Sequence, residues 1–283
     1  MKLKEYLSKA QKEKWAIGQF NFSTLEQLKA IIQACEKLNS PAIIGTSEGE
    51  SGFVGLEQAV ALVGSYRENK GLAIFLNLDH ARSFDYIKKA IDTGYDAVHF
   101  DGSELDFEKN IEVLKKIQDY GEKKSVLIEG EFNPTLGASR MLEKAPETDQ
   151  SLTDPDQALE FTKQAKIDSL AIGIGNFHGV SSLKSPVIDF DRLKRINERI
   201  KEFLVLHGGS GVSDEDIKQA ISYGIVKINI NTELRLAYTN TLRQALESKP
   251  QETTPYKLMS EVISAVQEIV ENKIKLFGSD NKI

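Results

Sequence analysis

Along the 283-residue chain, short apolar runs rich in Ile, Val, Leu and Phe alternate with longer stretches in which apolar residues recur every three or four positions. The runs predict strands at residues 16–22, 41–47, 72–79, 97–101, 125–132, 169–176, 203–207 and 225–230. The stretches between them place an apolar stripe on one helix face: Leu25, Leu28, Ile31, Ile32, Cys35 and Leu38 in one, Phe107, Ile111, Leu114 and Ile117 in another, Phe190, Leu193, Ile196 and Ile200 in a third. Ser213 ahead of Asp214, Glu215 and Asp216, and Thr232 with Glu233, are helix-start signals. A last helix, about 256–277, ends before Gly278.

Eight strand-then-helix units in ~250 residues form the pattern of an α/β fold, the (β/α)8 TIM barrel, as one domain over residues 1–283. A doubly wound open sheet shares the strand signal, because strand count does not show closure. Residues 133–153 carry no clear pattern, and a loop of that length in a compact domain is usually functional.

Composition narrows the field. Hydrophobic residues make up 40% and glycines number 20, which fits a folded soluble chain. The 36 basic and 42 acidic residues leave a net charge of −6 with no basic block, so nucleic acid is a poor partner. No uncharged apolar run reaches 18 residues, and the N-terminus is broken by charge every few positions. Neither a membrane span nor a signal peptide is read, and with Cys35 as the one thiol the expectation is a cytoplasmic protein.

The chemistry gathers at strand ends. Of four histidines, His80 follows AIFLNLD, His178 follows SLAIGIGNF and His207 follows FLVL. Strand C-termini of a barrel converge on one face, so these three imidazoles from the third, sixth and seventh strands can meet there. Three His with an open fourth position is a catalytic zinc arrangement. His99, inside AVHF, lacks that flanking pattern and reads as structural. Asp79, beside His80, is a candidate base, with a helix-capping acid as its plainer reading. Glu129 and Glu131 share one face of the fifth strand and Asp101 ends the fourth; extra metal ligands and a hydrogen-bonded network are equally open for them.

Phosphate signals follow the last two strands. His207-Gly208-Gly209-Ser210-Gly211 leads into the helix capped by Ser213, and Asn229-Ile230-Asn231-Thr232 leads into the next. Glycines let backbone N–H groups approach an anion, and helix N-termini favour negative charge. A third small-polar stretch from Ser47 to Gly52 reads as a second phosphate site or an ordinary loop.

These residues resemble the metal-dependent class II aldolases that cleave ketose bisphosphates, along essentially the whole chain. The carrying motifs are Leu78-Asp79-His80, Gly175-Asn176-Phe177-His178-Gly179, Val205 to Gly211, and Lys227 to Glu233. In size the chain is similar to the shorter branch, which includes tagatose- and fructose-bisphosphate aldolases. The resemblance implies that His80, His178 and His207 hold one catalytic Zn2+ per subunit and that Asp79 handles the C4 hydroxyl proton. It implies that Gly179, Gly208, Gly209, Ser210, Asn229, Ile230, Asn231 and Thr232 hold dihydroxyacetone phosphate, and that Ser47 helps with the distal phosphate. Glu131 and Asp101 would form or border an alternative metal or monovalent cation site. The implied enzyme is a homodimer or homotetramer acting on a fructose- or tagatose-type bisphosphate.

Three departures stand out. Asn77 replaces the family's His two residues before the base. The stretch after Glu131 reads Phe132-Asn133-Pro134-Thr135-Leu136-Gly137-Ala138-Ser139, which puts Ser139 at the position of the acid that exchanges a proton with the enediolate. The Lys usual after the His178 position is displaced, with Lys184 nearest. Glu143, one turn beyond Ser139 if 138–144 is helical, is the expected substitute acid, with Glu147 and Asp149 behind it. Two rivals follow: a sugar-phosphate-binding relative that does not turn over, and a Schiff-base aldolase using Lys227. A class II aldolase for another phosphorylated substrate also stays open.

Overall fold

The computed structural model describes residues 1–283 except Ser182, Lys184 and the side chain of Gln150. Its strands are β1 (Ile17–Asn21), β2 (Ala42–Ser47), β3 (Ile74–Ala81), β4 (Ala97–Asp101), β5 (Leu127–Glu131), β6 (Gly137–Leu142), β7 (Ser169–Ala171), β8 (His178–Ser181), β9 (Phe203–Leu206) and β10 (Ile225–Ile230). Eight of them close into a barrel in the order β1-β10-β9-β7-β5-β4-β3-β2, every pair parallel. Closure settles the fold as the (β/α)8 barrel over the open sheet.

The helices are α1 (Leu3–Glu13), α2 (Leu25–Leu38), α3 (Glu48–Val54), α4 (Leu56–Lys70), α5 (Phe84–Thr93), α6 (Phe107–Glu122), α7 (Pro155–Ala165), α8 (Phe190–Arg199), α9 (Asp214–Ser222), α10 (Thr232–Ser248) and α11 (Pro255–Phe277). Side chains that point outward from the strands, such as Phe20, Ile44, Leu78, Val98, Ile128, Leu204 and Ile228, form the main core with the helix stripes. Burying each such side chain is worth roughly 1.5–3 kcal/mol, so this shell carries the fold's stability. Among the described residues no helix is long and apolar enough to cross a membrane.

Inside the barrel the inward positions change character along the strands. Near the strand N-termini, Ile17, Ile43, Phe75, Ala97, Phe203 and Val226 pack with Leu3, Tyr6, Leu7 and Trp15, so α1 closes that end with an apolar plug. Towards the strand C-termini the inward residues are Gln19, Asn21, Asn77, Asp79, His99, Glu129, Glu131, Lys227 and Asn229, all buried. A polar layer at that depth is expensive unless its groups are paired, and it marks the functional end.

Two expectations are corrected. The strand expected at 169–176 ends at Ala171: Ile172 still donates to the Val205 carbonyl (3.2 Å), but Gly173 donates to Thr153 Oγ1 (2.8 Å) and Ile174 to Asn176 Oδ1 (2.8 Å). Residues 137–142, expected as loop or helix, form β6 and pair in parallel with β8 as a small sheet outside the barrel.

Candidate active site

The C-terminal mouth holds a cavity of about 320 Å³. Asp79, His80, Asp101, His178, Gly208, Ser210, Asn229, Asn231, Thr232, Ser47, Thr135 and the guanidiniums of Arg82 and Arg235 are among its lining, and Glu50 ties Ser47 to Asn231 and Arg235. His207 and Glu131 lie just beneath, essentially without solvent exposure. Ile230 belongs to the outer core, so its side chain faces away from the mouth. Gly179 and Gly209 shape the wall from behind: a Cβ on Gly179, at φ +100, would lie 2.5 Å from the Ala138 carbonyl, and one on Gly209 2.6 Å from Ile228.

Three imidazoles converge on the floor. Ring centroids lie 4.6 Å apart for His80 and His207, 4.9 Å for His80 and His178, and 6.1 Å for His178 and His207. His80 and His207 come from barrel strand ends, whereas His178 arrives at the start of β8, pinned by its N–H donating to the Leu136 carbonyl (2.7 Å). His207 Nε2 meets Glu129 Oε1 at 2.7 Å, and Glu129 Oε2 accepts from Lys227 Nζ at 2.6 Å. His80 Nδ1 meets Asp101 Oδ2 at 3.2 Å. The inner nitrogens, His80 Nε2 and His207 Nδ1, face each other at 2.9 Å, close enough to share one proton in a hydrogen bond.

A divalent cation can take the place of that proton and accept a lone pair from each ring, so this donor set fits a metal ion. Carboxylates behind metal-binding imidazoles are the usual orienting partners. Ligand atoms of Asp79, His80, His99 and His207 lie within 4.8 Å of one another, as do those of His80, Asp101 and Glu131 on the other side of the His80 ring. Burial, reinforced by neighbouring His80 and His207, pushes His178 down to about 3; burial with His80 and His99 nearby also lowers His207. Both rings therefore keep the lone pairs a metal needs.

Asp79 reaches the cavity held by two amides. Its Oδ1 accepts from Asn229 Nδ2 (3.1 Å) and its Oδ2 from Asn21 Nδ2 (3.0 Å). Burial works against its charge, yet the neighbouring His80 imidazole is the main influence that outweighs burial and holds its carboxyl well below the usual range. Glu129 and Glu131 divide the two readings open for them. Glu129 is a network residue between His207 and Lys227, and Glu131 combines proximity to His80 Nδ1 (3.7 Å) with bonds from the Thr135 N–H and Oγ1 (2.9 and 2.8 Å).

The loop after β9 and the start of α10 come close together at the mouth. Gly208 has φ +61 and a Cβ there would lie 2.2 Å from the Phe177 carbonyl, so the loop runs closer than any other residue permits. Asn231 makes no side-chain cap at the start of α10, whose Glu233 N–H instead makes a long contact with Ser210 Oγ (3.5 Å), and Asn231 and Thr232 line the cavity there. Glu233 braces the loop, accepting from the Gly211 N–H (3.2 Å) and pairing with Lys273 on α11 (2.9 Å).

The helix over 138–144 that would bring Glu143 to the site is a correction. Residues 137–142 are extended, so Glu143 is not one helical turn from Ser139; it lies past the end of β6, exposed and away from the cavity. Glu147 and Asp149 are exposed too and line no part of it. The Lys184 expectation falls outside the described residues. Asn21, Arg82, Thr135 and Arg235 line the cavity without having been singled out, and His99 sits beneath it. The available signal was polar residues at alternate positions of otherwise apolar strands: Gln19 and Asn21, Asn77 and Asp79, His99 and Asp101, Lys227 and Asn229.

A closed barrel with an imidazole–carboxylate floor and an anion wall at its mouth defines a metal-dependent carbon–carbon lyase of the aldolase class. Comparison with known proteins places it more narrowly: the chain belongs to the class-II fructose-bisphosphate aldolase family, whose model matches residues 1–282. It is 36% identical over 279 residues to the sulfofructosephosphate aldolase of Alkalicoccus urumqiensis, covering 99% of this chain and 96% of that one. The crystal structure of the YdjI aldolase from Escherichia coli K12 is similar at 34% identity and TM-score 0.84, over 99% and 98% of the two chains. Fructose-bisphosphate aldolase from Campylobacter jejuni, at 22% identity and TM-score 0.85 over 99% and 95%, shares the fold.

Proposed function

We propose that the chain cleaves a ketose phosphate carrying a second anionic group into dihydroxyacetone phosphate and an aldehyde, with one zinc ion held by His80, His178 and His207. The observation that carries the reading is one cavity lined by the glycine loop after β9, the first residues of α10, the imidazoles of His80 and His178, and the guanidiniums of Arg82 and Arg235. When bound, the metal supplies Lewis-acid polarisation of the ketose carbonyl.

The chain's own residues do the rest. Ser210, Thr232 and the backbone around Gly208 bind the phosphate and fix the ketose over the floor. Asp79, ionised and aimed by Asn21 and Asn229, accepts the C4 hydroxyl proton; the C3–C4 bond breaks, its electron pair stays on the dihydroxyacetone phosphate fragment, and C4 becomes the aldehyde carbon. Lys227 supports no Schiff base in this reading, because it is buried beneath His207 and paired with Glu129.

The second anionic group is singly charged in this reading. Arg82 and Arg235 are the guanidiniums of the cavity: Arg82 already pairs with Glu104 (2.8 Å) and lies 3.9 Å from Asp101, and Arg235 pairs with Glu50 (2.6 Å). A guanidinium shared with two carboxylates suits a sulfonate better than a doubly charged phosphate. A cleavage assay on fructose 1,6-bisphosphate, tagatose 1,6-bisphosphate and sulfofructose phosphate, with metal content measured on the same preparation, tests both levels. Sulfofructose phosphate is expected to give the highest kcat/KM. A bisphosphate preferred tenfold overturns the sulfonate reading, and binding of all three without cleavage by zinc-loaded protein overturns the lyase reading in favour of a binding protein.

A further inference from the structure

Asp79 and His80 are consecutive, yet both line the cavity, although neighbours in a strand point to opposite faces. The register between β3 and β4 shows how. Leu78 pairs with Val98 and Ala81 with Phe100, so two residues of β3, Asp79 and His80, stand opposite one residue of β4, His99. This is a β-bulge. His80 takes the left-handed backbone, φ +50, which brings its ring to the inner face, and Ala81 then returns to the outer core. Such a conformation is costly for a non-glycine residue and persists only where its surroundings fix it.

The bulge also removes the His80 N–H from the ladder with β4. A buried N–H without a partner is destabilising, and here its acceptor is a side chain: His99 Nδ1, at 3.1 Å. A backbone N–H can only donate, so Nδ1 must carry the lone pair and the proton sits on Nε2, which faces Glu131 Oε2 at 3.2 Å. The ring is fully buried, with its centroid 4.7 Å from those of both His80 and His207 and Nδ1 3.7 Å from Asp79 Oδ1. Nδ1 is thus committed to the His80 backbone, while Nε2 lies near Glu131 Oε2 without a hydrogen bond to it.

We propose that His99 is a positioning residue: it satisfies the amide freed by the bulge and so holds Asp79 and His80 side by side on the inner face. Asn77, at the position where family members carry a His, bonds instead to Gln19 Oε1 (2.8 Å), which leaves His99 as the imidazole flanking the base. The inference goes beyond substrate choice, and its metal arm does not depend on the cleavage reading.

The test compares two amides. In His99→Asn the amide oxygen sits near the Nδ1 position and can accept the His80 N–H; in His99→Gln it sits near Nε2 and cannot. Cobalt(II) affinity by chelator competition is measured on both, with kcat, KM and thermal midpoint. His99→Gln is expected to lose about 10- to 100-fold in cobalt affinity and a similar factor in kcat, as when partners behind metal ligands are removed, with KM changed less than about threefold. His99→Asn is expected within about fivefold of wild type in both, at a thermal midpoint similar to that of His99→Gln. Equal impairment of the two variants, or wild-type cobalt affinity in His99→Gln, overturns the proposal. If wild type cleaves no ketose phosphate, the cleavage reading fails while the cobalt comparison still decides the role of His99.

Discussion

The two ends of the barrel interior are made by the same strands and could hardly differ more. At the strand N-termini, Phe75, Ile43, Phe203 and Val226 form an apolar plug against α1; one or two inward positions further on, Asp79, His99, Glu129, Lys227 and Asn229 form a layer in which polar groups hold one another. Stability at one end permits ionisable side chains at the other, because strands held below deliver their C-terminal residues to fixed places. The comparison turns into measurements: variants in the upper layer should change chemistry with little change in stability, and variants in the lower layer the reverse.

The largest effect expected is loss of the metal site. His207→Ala removes one facing imidazole, and Glu129 keeps Lys227 as its partner, so no buried charge is orphaned. Zinc stoichiometry should fall well below one per chain, and cleavage by roughly 10⁴-fold, consistent with several kcal/mol of Lewis-acid stabilisation, while the thermal midpoint in the metal-free state stays near that of metal-free wild type. Chelation of wild type should match it. Full activity of metal-free protein would sink the metal reading.

The converse case is Phe75→Ala. Phe75 packs its ring 5.7 Å from that of Tyr6 in the plug, and truncating a buried Phe costs about 3–5 kcal/mol. Denaturant unfolding should show that loss, while zinc affinity and kcat of the folded fraction stay within about twofold of wild type. A variant of unchanged stability but lowered kcat would erase the division of labour between the two layers.

Smaller changes are expected at the anion wall. Ser210→Ala and Thr232→Ala should each weaken dihydroxyacetone phosphate binding by about 1–3 kcal/mol, the value of a hydrogen bond to a charged group, with zinc content unchanged. Calorimetry giving wild-type affinity in both would remove these residues from the phosphate site.

The sequence carried the barrel because period-two and period-3.6 patterning is local, and each of the eight units repeats it. It also pointed to His80 and His207, since a strand end is visible as the place where an apolar run stops. His99 was not legible in the same way: it lies inside a strand, and its meaning depends on the register that sets it opposite a two-residue bulge in another strand 20 positions away. The pairing of β6 with β8 was hidden for a related reason. β6 is largely exposed, so Gly137 to Leu142 show no apolar alternation, and its partner lies beyond α7.

That pairing leads to the smallest effect. A helix over 138–144 would have turned Glu143 back over the site as a proton donor to C3 of the enediolate. In the extended β6, residues advance about 3.3 Å each, so Glu143 is carried four positions away from the cavity-lining Ser139 rather than back beside it, and it ends exposed in the bend that follows. A proton donor must come within hydrogen-bond reach of its target, directly or through one water, and Glu143 has no such path along this backbone. Glu143→Gln should therefore leave kcat, and the rate at which the C3 proton of dihydroxyacetone phosphate exchanges with solvent, within about twofold of wild type. Asp79→Asn, by contrast, should lose cleavage by about 10²- to 10⁴-fold, because it changes the carboxylate that Asn21 and Asn229 aim into the cavity. An exchange rate that drops tenfold in Glu143→Gln would mean that 137–144 folds over the mouth when substrate is bound, and would bring Glu143 back as the acid.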